Sequence, residues 1–231
     1  YEDGRWSGMA PAARKKILHR VADLIEQHVV ELAVLGVRDN GTEISMALKA
    51  EPGSASATFR YYAETCDKVN GDIAPTPPGT LGLVHRESVG VVGAIVPWNF
   101  PLMIGAWKLA PALAMGNSVV LKPAEVASLS LLRLVELCHE AGLPDGVLNV
   151  VTGEGRAVGE ALGLHNDVDV LLFTGSGGVG RRLLEYSARS NLKRVYLELG
   201  GKSASVVFDD YGNLGKAAKV SAGGIFRDSG Q

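Results

Sequence analysis

From Val89 to Phe208, short apolar, β-branched runs alternate with helix-length stretches, and this alternation restricts the possible folds more than any other feature. Val89–Pro97, Ser118–Lys122, Val147–Val151, Val168–Thr174, Arg194–Leu199 and Ala204–Phe208 read as strands, most of them buried. Between and after them, Pro101–Met115 (bent at Pro111), Ser128–Gly142, Arg156–His165, Val179–Ser190 and Asn213–Asp228 read as helices. Strand–helix–strand units at this spacing need right-handed crossovers. The expected fold is therefore α/β, a parallel sheet with helices on both faces. Such sheets bind ligands at the carboxyl ends of their strands, so the residues just after each strand carry the functional information.

Upstream, Ile17, Leu18, Val21, Leu24, Ile25, Val29 and Leu32 recur at three and four from a start at Pro11, and Asn40-Gly41 stops the pattern. A second helix is expected over Ala55 to Val69, with Phe59, Tyr62, Cys66 and Val69 inward, then a proline-rich loop from Asn70 to Gly79. The 231 residues have an ordinary globular balance and a net charge of −2, with no run of Lys or Arg, which argues against a nucleic-acid surface. No apolar run is long enough to span a bilayer and no signal peptide is recognisable, so the expectation is a cytoplasmic protein with no membrane partner. Cys66 and Cys138 lie in apolar, helix-patterned stretches and read as reduced and buried, and no Cys/His pattern proposes a metal. The chain starts at Tyr1 without Met and stops at Gln231, and both ends read as cut. Glycine, 29 of 231 residues, is about twice its usual share and clusters after the apolar runs, where backbone must turn tightly or approach something closely.

Four segments after strands could carry chemistry. In Pro97-Trp98-Asn99-Phe100-Pro101, two prolines fix the turn and present Asn99, whose amide can serve an oxyanion or merely close an Asx-turn. In Lys122-Pro123-Ala124-Glu125, a cation and an acid three apart could grip a ribose. The acid would accept from a 2′-hydroxyl and disfavour a 2′-phosphate; the alternative is a surface ion pair. In Phe173-Thr174-Gly175-Ser176-Gly177-Gly178-Val179-Gly180, the glycines at 175, 177 and 180 match G-x-G-x-x-G between a strand and a helix, a site for pyrophosphate on helix N-terminal N–H groups. A looser set, Gly153, Gly155 and Gly159, reads as a tight turn. Finally, Glu198-Leu199-Gly200-Gly201-Lys202 ends a strand. Spacing from the glycine fingerprint favours a ribose ligand at Glu198, but a general base or an ion pair with Lys202 also fits.

Taken in order, PWNFP, KPAE, FTGS, ELGGK and a terminal GQ resemble the aldehyde dehydrogenase superfamily over about Trp6 to Gln231, with the amino-aldehyde and betaine-aldehyde branch the nearest in appearance. The resemblance implies a Rossmann-like NAD-binding domain over residues 1–68 and 89–200, a small β extension over 69–88 used for oligomer contacts, and the start of a catalytic domain over 201–231. It implies NAD as cofactor, with NADP as the alternative, a small-molecule aldehyde as substrate and a homo-oligomer, dimer or tetramer, at full length. Asn99 matches the family's oxyanion asparagine and Glu198 its general base, against the ribose reading of Glu198. Lys122 and Glu125 match the ribose clamp, with Pro123 and Ala124 between them. Trp98 and Ser176 match positions near the pyrophosphate. Ile95, Val96, Pro97, Phe173, Thr174, Gly175, Val179, Leu199 and Gly200 match the cofactor cleft, and Gly153 and Gly155 the adenine-side turn.

Family members are about twice as long, and their nucleophile is a cysteine two residues past the Gly-Gln pair, here Gly230-Gln231. The expectation is a fragment inactive on its own. Gly177 replaces a usual Thr, Ser205 and Asp228 a common Asn, and Tyr211-Gly212 a common Ala-Pro; these departures lean toward a second reading, a non-catalytic NAD-binding or assembly module. A third, a simple alcohol dehydrogenase, would put the ribose at Glu198 rather than Glu125.

Overall fold

The computed structural model describes residues 1–226; Asp228, Gly230 and Gln231, singled out above, lie outside the described residues. Two compact units divide the chain, Tyr1–Leu199 and Gly200–Gln231.

The first unit is built on a five-stranded parallel sheet. Its strands are β3 (Val91–Ile95), β4 (Ser118–Lys122), β5 (Leu148–Val150), β6 (Val170–Gly175) and β7 (Arg194–Leu199), in the spatial order β5-β4-β3-β6-β7. Preceding them, β1 (Asp72–Ala74) and β2 (Gly82–Val84) form a separate antiparallel ribbon in the segment expected as a β extension. Chain order runs outward from β3 to one edge and then restarts beside β3 with β6, so the strand order reverses between β3 and β6. That reversal opens a crevice at their carboxyl ends. Register aligns the strand ends: Ile95 lies opposite both Lys122 and Phe173, and Phe173 opposite Leu197.

Alternation divides the sheet into two faces. Val92, Ala94, Val119 and Leu121 join a large core with helices α1 (Pro11–Gln27), α3 (Ile44–Thr65), α4 (Pro101–Ala114) and α5 (Leu129–Glu140). Ile95, Leu171 and Phe173 face the other way, against α6 (Glu160–Leu164) and α7 (Gly177–Ala188). Helices thus cover both faces, as the α/β reading requires.

Several elements differ from the sequence reading. The helix expected from Pro11 to Asn40 breaks at His28, which leaves helical geometry at φ −111°; α2 (Val29–Asn40) then begins anew. The His28 ring Nδ1 lies 2.9 Å from the Leu24 carbonyl, at the end of α1. Helix α3 starts at Ile44 rather than Ala55 and runs through Pro52, which is buried. Burial of Ala47, Ala55 and Phe59 outweighs the backbone hydrogen bond that a proline removes. The same helix stops at Thr65, leaving Val69 exposed instead of inward. The Asn70–Gly79 stretch, read as loop, contains β1. The helix expected from Arg156 opens one residue earlier with a π-helical turn, Gly155–Gly159.

In the second unit, Ala204–Phe208 was expected as a strand but pairs with no other strand among the described residues. β-Branched composition alone does not make a strand without a ladder partner. Helix α8 (Leu214–Phe226) follows.

Candidate functional site

All five strands of the sheet deliver their predicted residues to one carboxyl edge. After β3, the Val96 N–H donates to the Lys122 carbonyl at 3.0 Å, carrying sheet pairing one residue beyond Ile95 into the turn. Pro97, Trp98 and Asn99 then make the turn, and Pro101 opens α4 at its first position, where a missing N–H costs nothing. Trp98 is exposed and Asn99 half-buried.

After β4, Lys122 is 2% exposed although it is a lysine. A buried ammonium needs a partner, and Lys122 Nζ lies 3.4 Å from Glu125 Oε1. The Gly155 N–H, arriving from the end of β5, donates to the same oxygen. Pro123 and Ala124 are buried between them, with Ala124 bridged to Ala127, so the turn is tight. Burial pushes the Glu125 carboxyl up, but backbone N–H groups of Glu125 and Gly155 and the Lys122 charge outweigh it and hold the pKa below the ordinary value. A methyl group on Gly155 would stand 3.3 Å from Glu125 Oε1 and 3.9 Å from Lys122 Nζ, so glycine keeps this corner open. Gly153, at φ +139°, holds a backbone shape that other residues rarely adopt.

After β6, Ser176 is the N-cap of α7, its Oγ accepting from the Val179 N–H at 3.3 Å. Phe173 is buried beneath this end of the sheet, Gly175 closes β6, and Val179 is exposed on the first turn of α7. Gly180 shows why the third glycine of the fingerprint is there. A Cβ on it would sit 2.8 Å from Leu199 Cδ2, so α7 lies directly against β7.

After β7 come Glu198, paired in register with Thr174, then Leu199, opposite Gly175, and Gly200. Glu198 is exposed and lines an open, mainly apolar cleft of about 710 Å³ with Trp107, Lys108, Leu172 and Tyr196. Lys108 reaches from α4 and donates from Nζ to Thr174 Oγ1 at 2.8 Å. Burial pulls the Lys108 pKa down to about 8, while the Glu198 charge opposes the fall.

The structure therefore joins Lys122, Glu125 and Gly155 by direct contact and puts Thr174 and Glu198 side by side. Asn99 stands at the end of the adjacent strand β3, at the head of the helix that carries Lys108, but outside the cleft that Glu198 lines. Sequence reading missed three participants. Lys108 had a signal: it is the sole charged residue within Pro101–Ala114, an otherwise apolar helix. Asn40 and Glu51 had none, because they reach the Asn99 turn from other helices. Asn40 Nδ2 donates to the Trp98 and Asn99 carbonyls at 3.1 and 3.0 Å. Glu51 accepts from the Leu102 and Met103 N–H groups at 2.8 and 3.2 Å. Among the described residues no cluster of three His, Cys, Asp or Glu could hold a metal, and no helix is long and apolar enough to cross a membrane.

Comparison with known proteins identifies the family. The model of the Aldehyde dehydrogenase family matches residues 2–231. The chain belongs to the aldehyde dehydrogenase family. Over 231 residues it is 52% identical to the NADP/NAD-dependent aldehyde dehydrogenase PuuC of Escherichia coli (strain K12), covering all of this chain and 47% of that one. It is 48% identical to the aminoacetaldehyde dehydrogenase of Pseudomonas aeruginosa, again over all of this chain and 47% of the relative. The chain thus spans about half the length of these curated aldehyde dehydrogenases. Among solved structures, the aldehyde dehydrogenase KauB of Pseudomonas aeruginosa superposes with a TM-score of 0.93 at 51% identity, over 97% of this chain and 45% of that one. The indole-3-acetaldehyde dehydrogenase AldA of P. syringae, solved with NAD+ and IAA, gives 0.92 at 50% identity over 97% and 45%.

Proposed function

We propose that this aldehyde dehydrogenase segment binds NAD, with NADP as the alternative, and that the protein containing it oxidises an aldehyde to a carboxylic acid through a cysteine-bound thioester. The observation that carries the reading is the Lys122–Glu125–Gly155 cluster at the switch-point edge, one strand from β3 and two from the capped N-terminus of α7. A dinucleotide fits this donor set. Lys122 and Glu125 would hold the adenosine ribose, Gly153 and Gly155 would admit the adenine side, and the first-turn N–H groups of α7 beside Ser176 would face the pyrophosphate. Relatives solved with NAD+ support the cofactor.

When bound, the nicotinamide supplies a hydride acceptor. The chain's own residues supply the rest. A thiolate adding to the aldehyde carbonyl turns its oxygen into an oxyanion; the Asn99 amide, with a backbone N–H, would stabilise that charge by about 3 kcal/mol. Glu198 would take a proton from the water that hydrolyses the thioester. Lys108, charged below about pH 8, would stabilise the Glu198 carboxylate across the cleft.

Neither cysteine of the 231 residues suits the nucleophile's part. Cys138 is fully buried and its thiol is pushed up to about 12 by burial; Cys66 is buried in the core and also raised. This inventory favours a second reading for the polypeptide 1–231 taken alone, a cofactor-binding unit without turnover. The test is to titrate purified 1–231 with NAD by calorimetry and then to assay NADH formation with aldehydes. We expect saturable binding that is weakened about tenfold by Lys122→Ala, and no turnover. Aldehyde oxidation by 1–231 would overturn the thiol argument; absence of NAD binding would overturn the site.

The exposed Ile73, Leu81 and Leu83 on and beside the β1–β2 ribbon support a homo-oligomer for the whole protein.

A further inference from the structure

We infer that Asn40 and Glu51 are positioning residues for the oxyanion amide, a two-sided brace that fixes the Asn99 turn from α2 and α3. The inference rests on the proposed role of Asn99 and adds residues to it. The turn between β3 and α4 is short, and prolines at both ends set its backbone angles but supply no donors. Its remaining polar groups must be met from outside.

Asn40 meets them on one flank. It is the last residue of α2, and Gly41 follows at φ +73°, which swings the chain away and leaves the Asn40 side chain over the turn. The Thr42 N–H donates to Asn40 Oδ1 at 2.9 Å. That bond assigns the amide's orientation, so Nδ2 is the end that faces the Trp98 and Asn99 carbonyls, and it donates to both at 3.1 and 3.0 Å. Two consecutive carbonyls held by one amide fix the peptide plane on each side of the Asn99 Cα. The direction in which its side chain leaves the backbone is thereby fixed as well.

Glu51 acts on the other flank. It is 3% exposed, and Oε2 takes the Leu102 and Met103 N–H groups, donors that the first turn of α4 cannot satisfy internally. A carboxylate at a helix N-terminus is favoured by the helix dipole. Gly36 of α2 lies beside it: a Cβ there would stand 3.6 Å from Glu51 Oε1, in ordinary contact. The two braces come from different helices, lie on either side of one catalytic turn, and each holds backbone groups of that turn or of the helix it opens. A small rotation of this turn would move the amide away from a developing oxyanion, and a misplacement of about 1 Å can cost on the order of a hundredfold in rate.

The experiment is a double-mutant cycle in the protein as encoded, including whatever follows Gln231. Asn99→Ala, Asn40→Ala, Asn40→Asp, Glu51→Gln and the pairs with Asn99→Ala are compared by kcat, aldehyde KM and NAD Kd. Asn40→Asp keeps the acceptor for Thr42 and loses the donor to the turn, so it serves if Asn40→Ala does not fold. Asn99→Ala is expected to lower kcat at least 100-fold. Asn40→Ala or Asn40→Asp, and to a lesser degree Glu51→Gln, should lower kcat about tenfold with NAD Kd unchanged, and this loss should vanish in the Asn99→Ala background. Equal losses with and without Asn99, or a loss confined to KM or NAD Kd, would overturn the brace while leaving the oxyanion role intact. Indifference of kcat to Asn99→Ala would overturn the oxyanion role itself and the brace with it.

Discussion

The two ends of the carboxyl edge are built differently. On the β4–β5 side, Lys122 is almost fully buried, Glu125 is already engaged by an ammonium and a backbone N–H, and the turn between them is packed. On the β6–β7 side, Glu198 is exposed at the mouth of an open cleft, with one partly buried cation, Lys108, opposite it. The first arrangement suits a ligand fragment that is held in one pose throughout a reaction. The second suits a carboxylate that must take up a water and a proton. The Asn99 turn lies between them and shares the rigidity of the first, through backbone contacts from two helices.

The largest effect that could break this contrast is expected at the open end. Glu198→Gln in the protein as encoded should lower steady-state turnover on the order of 100-fold or more while leaving a first burst of NADH. Loss of the burst together with turnover would place Glu198 before hydride transfer. At the rigid end, Lys122→Ala should weaken NAD binding about tenfold with little change in kcat at saturating NAD. A larger change in kcat than in affinity would mean that the buried pair does more than hold a ligand.

The smallest effect concerns pH. Burial brings the Lys108 pKa down to about 8 in the fold, below the ordinary lysine value of about 10.4. Between those values the unfolded chain binds more protons than the folded one, so this group makes stability rise with pH across that window. Urea midpoints at pH 7.5 and 9.5 should therefore rise more, or fall less, for the parent than for Lys108→Met. In turnover, an inflection near pH 8 should flatten in the same variant. An unchanged profile would remove Lys108 from the reacting end.

Much of this edge is legible in the sequence, for reasons that lie close together along the chain. The strands around Val92, Val119 and Leu171 announce themselves by local composition, and Lys122, Glu125, Gly175, Ser176 and Glu198 directly follow or end strands whose register then aligns them. What escaped was non-local. Asn40 reaches Asn99 across 59 positions and Lys108 reaches Thr174 across 66, and no spacing rule spans such gaps. Local signals also misled. Pro52 argues against a helix that packing sustains, and Ala204–Phe208 has the composition of a strand without a neighbour to pair with. For Glu198 the glycine spacing points to a ribose ligand, whereas the family resemblance implies a base.

Gly180 has a reach beyond its own position. Because its missing side chain lets α7 rest on Leu199, the height of that helix is set from below, by the same strand that carries Glu198. Anything that lifts β7 must lift the first turn of α7 with it. The first turn of α7 and the position of Glu198 are in this way tied through one packed layer, so a change made at either would be felt at the other.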